Sequence, residues 1–263
     1  MKKQLKINKI KIINFLITPI KIDKLILEIY KLIKNKKKAH YICVSSVHGA
    51  TESFLNNSFK KAHNNADIAL PDGRPIYWAL KFFCKNETDH LPGYFVTDKI
   101  CDLANKKNLS LGIYGSTDIV QKKFITKIKK KYKKIKFKYL YSPPFRKISN
   151  IEKNKICNSI NKSKIDILFV ALGAPKQEIW INEASKSINA PILGVGAAFD
   201  FYARNVERAP LFMRQNGLEW LYRIYKEPRR LFFRYFFSII LFFIGLTIQL
   251  VFDFFIGYNI NNI

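Results

Sequence analysis

An aspartate closes the apolar run ADIALP, inside the stretch LPDGRPIYW. Asp72 is followed by Gly73, which can turn the chain, and by Pro75, which suits the first turn of a helix. A carboxylate at the carboxyl end of a strand is placed to act as a general base, provided it reaches the proton it must take. The plainer account is that Asp-Gly only makes a turn. In the same stretch Arg74 is a candidate for holding a substrate. A second strand end, FVALGAPKQEIWI, offers Gly173 for close backbone approach, then Lys176 and Gln177 at the start of a helix. Helix-start amides, one ammonium and one carboxamide are the groups a phosphate-bearing donor needs; on the plainer account Lys176, Gln177 and Glu178 form an exposed first turn. Gly115 in YGSTD turns the chain after another strand, where it could approach a nucleotide. Two chemistries are excluded. LGVGAAFDFYA has Phe199 where a dinucleotide fingerprint needs its third glycine. His40, His48, His63 and His90 show no HExxH spacing and no Asp-x-Asp pair occurs, so no metal is expected. His48, just past a strand, either faces the site or serves the structure.

Charge is distributed unevenly. The chain carries a formal +27 over 263 residues, mostly from lysine, yet seven of its nine arginines lie between Arg204 and Arg234. Runs such as KKKYKK read as solvated helix ends. Arginine is different: its planar fork grips phosphate oxygens in two bonds and sheds water more readily than an ammonium. Arg208, Arg214, Arg223, Arg229, Arg230 and Arg234 are therefore candidates for a lipid-borne diphosphate or lipid headgroups, the alternative being surface pairing with Glu207, Glu219 and Glu227. Directly after them, Tyr235 to Phe252 is a run of eighteen residues without a charge, within the lower range for a membrane-spanning helix. Ser238, Gly245, Gln249 and Asp253 fall on one stripe of that helix, which keeps an interfacial helix in play beside a spanning one, with a core helix as the third reading. Membrane attachment is the expectation, with spanning favoured over lying in the interface.

These residues need a scaffold. YICVSSV (41–47), ADIALP (66–71), LSLGIYG (109–115), FKYLYS (137–142), DILFVALG (166–173) and PILGVG (191–196) are strand candidates, separated by helical patterns such as Thr117 to Tyr132 and Ile151 to Ser163. Strand alternating with helix predicts an α/β, Rossmann-like fold: a mostly parallel sheet with helices on both faces, whose ligands sit at the carboxyl ends of the strands. An edge strand is expected over Lys11 to Ile17 and a helix over Ile22 to Lys34. The alternation stops near Arg208, which divides the chain into a core (1–207) and a helical, membrane-associating appendage (208–263) with its apolar segment at about 235–257. Four scattered cysteines without a CxxC pair read as reduced thiols, and MKKQLKINKIKIINFLI lacks the pattern of a signal peptide, so the body is expected on the cytoplasmic face of the cell membrane. A nucleic-acid partner is not expected, because the aromatics concentrate in the apolar tail instead of interleaving with lysines.

Taken together, PDGRPIYW, YSPPF, LGAPKQEIWI, GVGAAFDF and ERAPLFMRQNGLEWLYRIYKEPRRLFFRY resemble the WecG/TagA/CpsF glycosyltransferases, glycosyltransferase family 26, over about Ile10 to Tyr235. The resemblance implies an inverting, metal-independent transferase without a cofactor. It would move a sugar, typically an N-acetylhexosamine such as N-acetylmannosamine, from a UDP donor to a polyprenyl-diphosphate-linked acceptor. By position, Asp72 matches the family's proposed base, Gln177 a donor-site glutamine and Asp200 the residue that meets the uracil, while Ser45 keeps the hydroxyl of a usual threonine. Val47, His90 and Arg204 depart from the asparagine, arginine and glycine found at those places in the family. If the departures disable the pocket, a catalytically silent membrane subunit is the alternative. A homo-oligomer is open, an apolar appendage being able to pack on a neighbouring copy.

Overall fold

The computed structural model describes residues 8–35, 40–84, 88–203 and 209–256, and the side chains of Arg230 and Ile256 are not described. In chain order the elements are β1 (Ile10–Ile12), β2 (Phe15–Ile17), α1 (Ile22–Lys34), β3 (Tyr41–Ser45), α2 (Val47–Leu55), α3 (Asn57–Asn64), β4 (Ile68–Pro71), α4 (Arg74–Cys84) and α5 (Gly93–Lys107). They continue as β5 (Ser110–Gly115), α6 (Asp118–Lys131), β6 (Lys136–Tyr141), α7 (Asn150–Lys162), β7 (Ile167–Ala171), α8 (Lys176–Ala184), β8 (Ile192–Gly194), α9 (Ala198–Ala203), α10 (Leu211–Gln215), α11 (Glu219–Lys226) and α12 (Pro228–Ile256).

Six strands form one parallel sheet in the order β4-β3-β8-β7-β5-β6. Every strand candidate of the body is present, and the reason lies in the period-2 alternation of side chains. In β7, Ile167 and Phe169 face one core with Leu25, Ile29, Val96, Ile100 and Phe124 of α1, α5 and α6. Leu168 and Val170 face the other, with Ile156, Ile160, Trp180 and Ile181 of α7 and α8. Burial on both faces explains why ILFVA reads as an unbroken apolar run. Helix starts follow local chemistry: Thr117 caps α6, and Ser149 with Glu152 forms a reciprocal capping box on α7.

One expectation is corrected. Lys11 to Ile17 is not an edge strand of the main sheet but a separate hairpin, β1 pairing antiparallel with β2. Ile13 at φ 59° reverses the chain, and the hairpin is tied to β4 just past its end, where the Thr18 amide donates to the Ala69 carbonyl.

A third cluster joins this hairpin (Ile12, Phe15, Ile17) to α2, α3, α4 and Phe242 of α12. The apolar segment is thus docked on the body and not detached. The face turned inward carries Ser238, Gly245 and Gln249 beside Phe242. The Ser238 and Thr51 hydroxyls lie 3.0 Å apart. Gln249 accepts from the Ile13 amide and donates to the Lys11 carbonyl. Gly245 lies so near the hairpin that an added Cβ would come 3.2 Å from Ile13 Cγ2. The large residues point outward, among them Phe233, Phe237, Ile244, Phe252 and Phe254. The stripe that kept an interfacial helix in play meets protein at Ser238, Gly245 and Gln249.

Candidate active site

The carboxyl ends of β3 and β4 are stitched together by one acceptor: the Ser45 carbonyl receives the amides of Asp72 at 3.1 Å and Gly73 at 3.2 Å. A Cβ at Gly73 would meet the Val47 amide nitrogen at 3.4 Å, an ordinary contact. This clamp fixes Asp72 at the mouth of the sheet. Its Oδ1 accepts from the Gly93 amide at 2.8 Å, the first residue of α5, and among the described residues Oδ2 accepts no hydrogen bond. Asp72 is half-buried. Burial pushes its pKa up to about 6, against the pull of the Gly93 amide; Glu219 adds to the rise and Arg223 opposes it. The carboxyl is therefore mostly ionised at pH 7 yet more basic than an ordinary aspartate.

That pair of charges shows that α11 of the appendage comes to the base. Other observations agree. The turn into α11 closes on α4: a Cβ at Gly217 would lie 2.7 Å from Trp78 Cη2 and 3.3 Å from Arg74 Cβ. The Arg223 guanidinium lies 5.8 Å from the Phe201 ring centre of α9. His90 completes the rim. Its Nε2 meets the Asp72 carbonyl, so that nitrogen carries the proton. Burial and then Arg74 push its pKa down to about 4, which makes it a neutral donor at pH 7. The Nε atoms of Arg74, Arg223 and Arg234 are buried and have no hydrogen-bond partner among the described residues. A buried guanidinium nitrogen without an acceptor is costly, and an anion placed there would relieve it.

The structure separates the sequence candidates into three groups. Asp72, Arg74 and Arg223 come together, and His48 lies near Arg234, whose charge, after burial, lowers the imidazole pKa. Lys176 and Gly173 are exposed beyond β7, and Asp200 stands half-buried in the first turn of α9, all at carboxyl ends of strands. Arg214 is half-buried and its Nε donates to the Ala209 carbonyl at 2.9 Å, while Arg229 is exposed. Arg204 and Arg208 lie outside the described residues, as does the Arg230 side chain.

Two candidates, Ser45 and Gln177, have side chains buried inside the protein. Ser45 is fully buried and its hydroxyl lies 2.8 Å from His63 Nε2, where burial holds His63 neutral. Gln177 is 1% exposed; its Oε1 accepts from the Gly196 amide at 3.1 Å and its Nε2 donates to Glu178 at 3.0 Å, which braces the turn between β8 and α9. Gly115, at φ 107°, is buried against β7, and a side chain there would run into the Ala171 carbonyl. Sequence reasoning missed the Gly93 amide and the contribution of Glu219. The Pro92-Gly93 pair opening a helix was the available signal for the first; nothing local signals the second.

Comparison with known proteins adds an independent line. The model of the glycosyl transferase WecG/TagA/CpsF family matches residues 10–253. An N-acetylglucosaminyldiphosphoundecaprenol N-acetyl-beta-D-mannosaminyltransferase of Bacillus spizizenii is 28% identical over 197 residues, 74% of this chain and 75% of that protein. The Bacillus subtilis protein of the same name is 30% identical over 168 residues, 64% of each chain. That of Staphylococcus aureus strain MW2 is 24% identical over 169 residues, 64% of this chain and 65% of the relative.

Proposed function

The chain belongs to the WecG/TagA/CpsF family of glycosyltransferases, and from that premise we propose that it is an inverting, UDP-sugar-dependent transferase. The sugar is an N-acetylhexosamine of the N-acetylmannosamine kind, and the acceptor a polyprenyl-diphosphate-linked sugar used in cell-envelope polysaccharide synthesis. The names of the relatives supply the acceptor class and the transferred group. The observation that carries the reading is Asp72: one oxygen is fixed by the Gly93 amide and the other accepts nothing from the described residues.

In the reaction the acceptor hydroxyl attacks the anomeric carbon from the face opposite the diphosphate. The new C–O bond forms as the bond to the leaving phosphate oxygen breaks, and Asp72 takes the hydroxyl proton. Arg223 and Arg74, whose Nε atoms lack acceptors among the described residues, meet phosphate charge, one set of oxygens on the leaving UDP and another on the acceptor's diphosphate. The reading calls for no metal, so chelation by EDTA should leave the rate unchanged. The exposed face of α12 holds the protein at the cytoplasmic membrane surface, where the lipid-borne acceptor is found.

A UDP-N-acetylmannosamine transfer assay with the purified protein tests this. Asp72→Asn should lose about 10²–10⁴-fold in kcat while UDP still binds; full transfer by that variant removes the base assignment, and a folded protein that binds no UDP removes the enzyme. In wild type, kcat/KM should fall as pH drops through about 6, where Asp72 gains its proton. Glu219→Gln should move that limb to lower pH and Arg223→Gln to higher pH, since the first raises and the second lowers the Asp72 pKa.

A further inference from the structure

A groove of about 240 Å³ runs between α4 and α12, and every residue lining it is apolar. One wall is Pro75, Trp78, Ala79 and Phe82 of α4, a spacing that puts all four on one side of the helix; Phe242 and Leu246 stand in the other wall. Interiors of proteins seldom leave such space, and an open apolar trough facing water is unfavourable. Two features fix its orientation. Its α4 wall starts at Pro75, next to Arg74, whose buried Nε has no partner among the described residues, and three residues from Asp72. At its outer side it is continuous with the exposed face of the molecule, through Phe82 on α4 and Phe243 on α12.

We propose that this groove holds the first isoprene units of the acceptor's polyprenyl chain. The inference rests on the proposed transfer reaction and names the part of the acceptor that reaction leaves unassigned. The diphosphate lies at Arg74 and the first turn of α4, the sugar hydroxyl reaches Asp72, and the hydrocarbon follows the α4 face outward until it joins lipid beside α12. α4 is ~16 Å long at ~1.5 Å per residue, enough for the first few units of the chain. The turn at Gly217, packed on Trp78 and Arg74, covers the head end and separates the diphosphate from the hydrocarbon. The occupant is the acceptor and not a bilayer lipid because the groove begins beside the base, so its contents are attached to whatever the base acts on.

Two variants fill the groove from opposite walls, Ala79→Phe and Leu246→Trp, with Ile244→Ser on the outer face of α12 as a control. The full chain in detergent is assayed with one acceptor headgroup carried either on undecaprenyl or on a two-carbon chain. Each filling variant should raise KM for the undecaprenyl acceptor at least tenfold and leave KM for the short acceptor within twofold; Ile244→Ser should change neither. A calorimetric measurement that needs no turnover accompanies this: farnesyl diphosphate should bind wild type at least tenfold more tightly than inorganic diphosphate, and filling should abolish the difference. Equal effects on both acceptors, no effect on either, or loss of vesicle binding without acceptor discrimination would each overturn the groove assignment. So would farnesyl diphosphate binding no better than diphosphate, even with transfer intact. Conversely, a farnesyl preference lost on filling, in a protein that transfers nothing, keeps the groove and removes the transferase.

Discussion

Helices α1 and α12 both lie against the same body, with opposite polarity. In α1, Leu25, Ile29, Leu32 and Ile33 face the core, and Lys24, Lys31 and Lys34 face outward. In α12 the inward face mixes Ser238, Gly245 and Gln249 with Leu231, Ile239, Phe242 and Leu246, while the other phenylalanines are outside. The first arrangement is what water selects. The second has a low free energy only where the surroundings are as apolar as the helix, and there the polar groups gain by bonding to protein instead. α12 is long and apolar enough to cross a membrane by length and composition. Ser238, Phe242 and Gln249 attach it to the body. The exposed apolar residues of α12 make it a candidate for membrane association.

The contrast can be broken in three ways. Lysine at both Ile244 and Phe254, on the outer side of α12, should abolish sedimentation with vesicles: each side chain withdrawn from lipid gives up about 2 kcal/mol, so partitioning falls by roughly three orders of magnitude. Lysine at the outward Leu27 of α1 should leave it unchanged, and vesicle binding by the α12 double variant would end the comparison. Next, Ile29→Ala on the inner side of α1 should cost about 3 kcal/mol in denaturant unfolding, whereas Phe254→Ala should cost almost nothing in detergent. The smallest effect is expected from the reversed interface: Gln249→Ala should lose about 1 kcal/mol with membrane binding intact. A stability loss as large as that of Ile29→Ala would show that the polar contacts carry the docking.

Much of this was legible before folding. The strands announced themselves because a buried parallel sheet demands unbroken apolar runs, and Ile22 to Lys34 because an amphipathic helix repeats its apolar residues with the turn. The hairpin was misread as one strand because the reversal depends on Ile13 at positive φ, a conformation that no β-branched residue advertises. The surroundings of Ser45 and Gln177 were hidden for another reason. Residue type tells what a side chain can do, but the pairing of Ser45 with His63 and of Gln177 with Gly196 spans 18 and 19 residues.

The sequence alone determined the layered α/β body, the acid at the end of β4 and the segregation of arginine beside an apolar run, because these follow from local period, local turn chemistry and composition. Only the tertiary structure decided that α11 brings Glu219 and Arg223 to Asp72, that α12 turns its polar stripe to the protein, and that α4 and α12 leave a groove between them. Those outcomes depend on which surfaces meet across 140 or more residues of chain, and such meetings are set by the sum of packing over the whole molecule, which no short window of sequence contains.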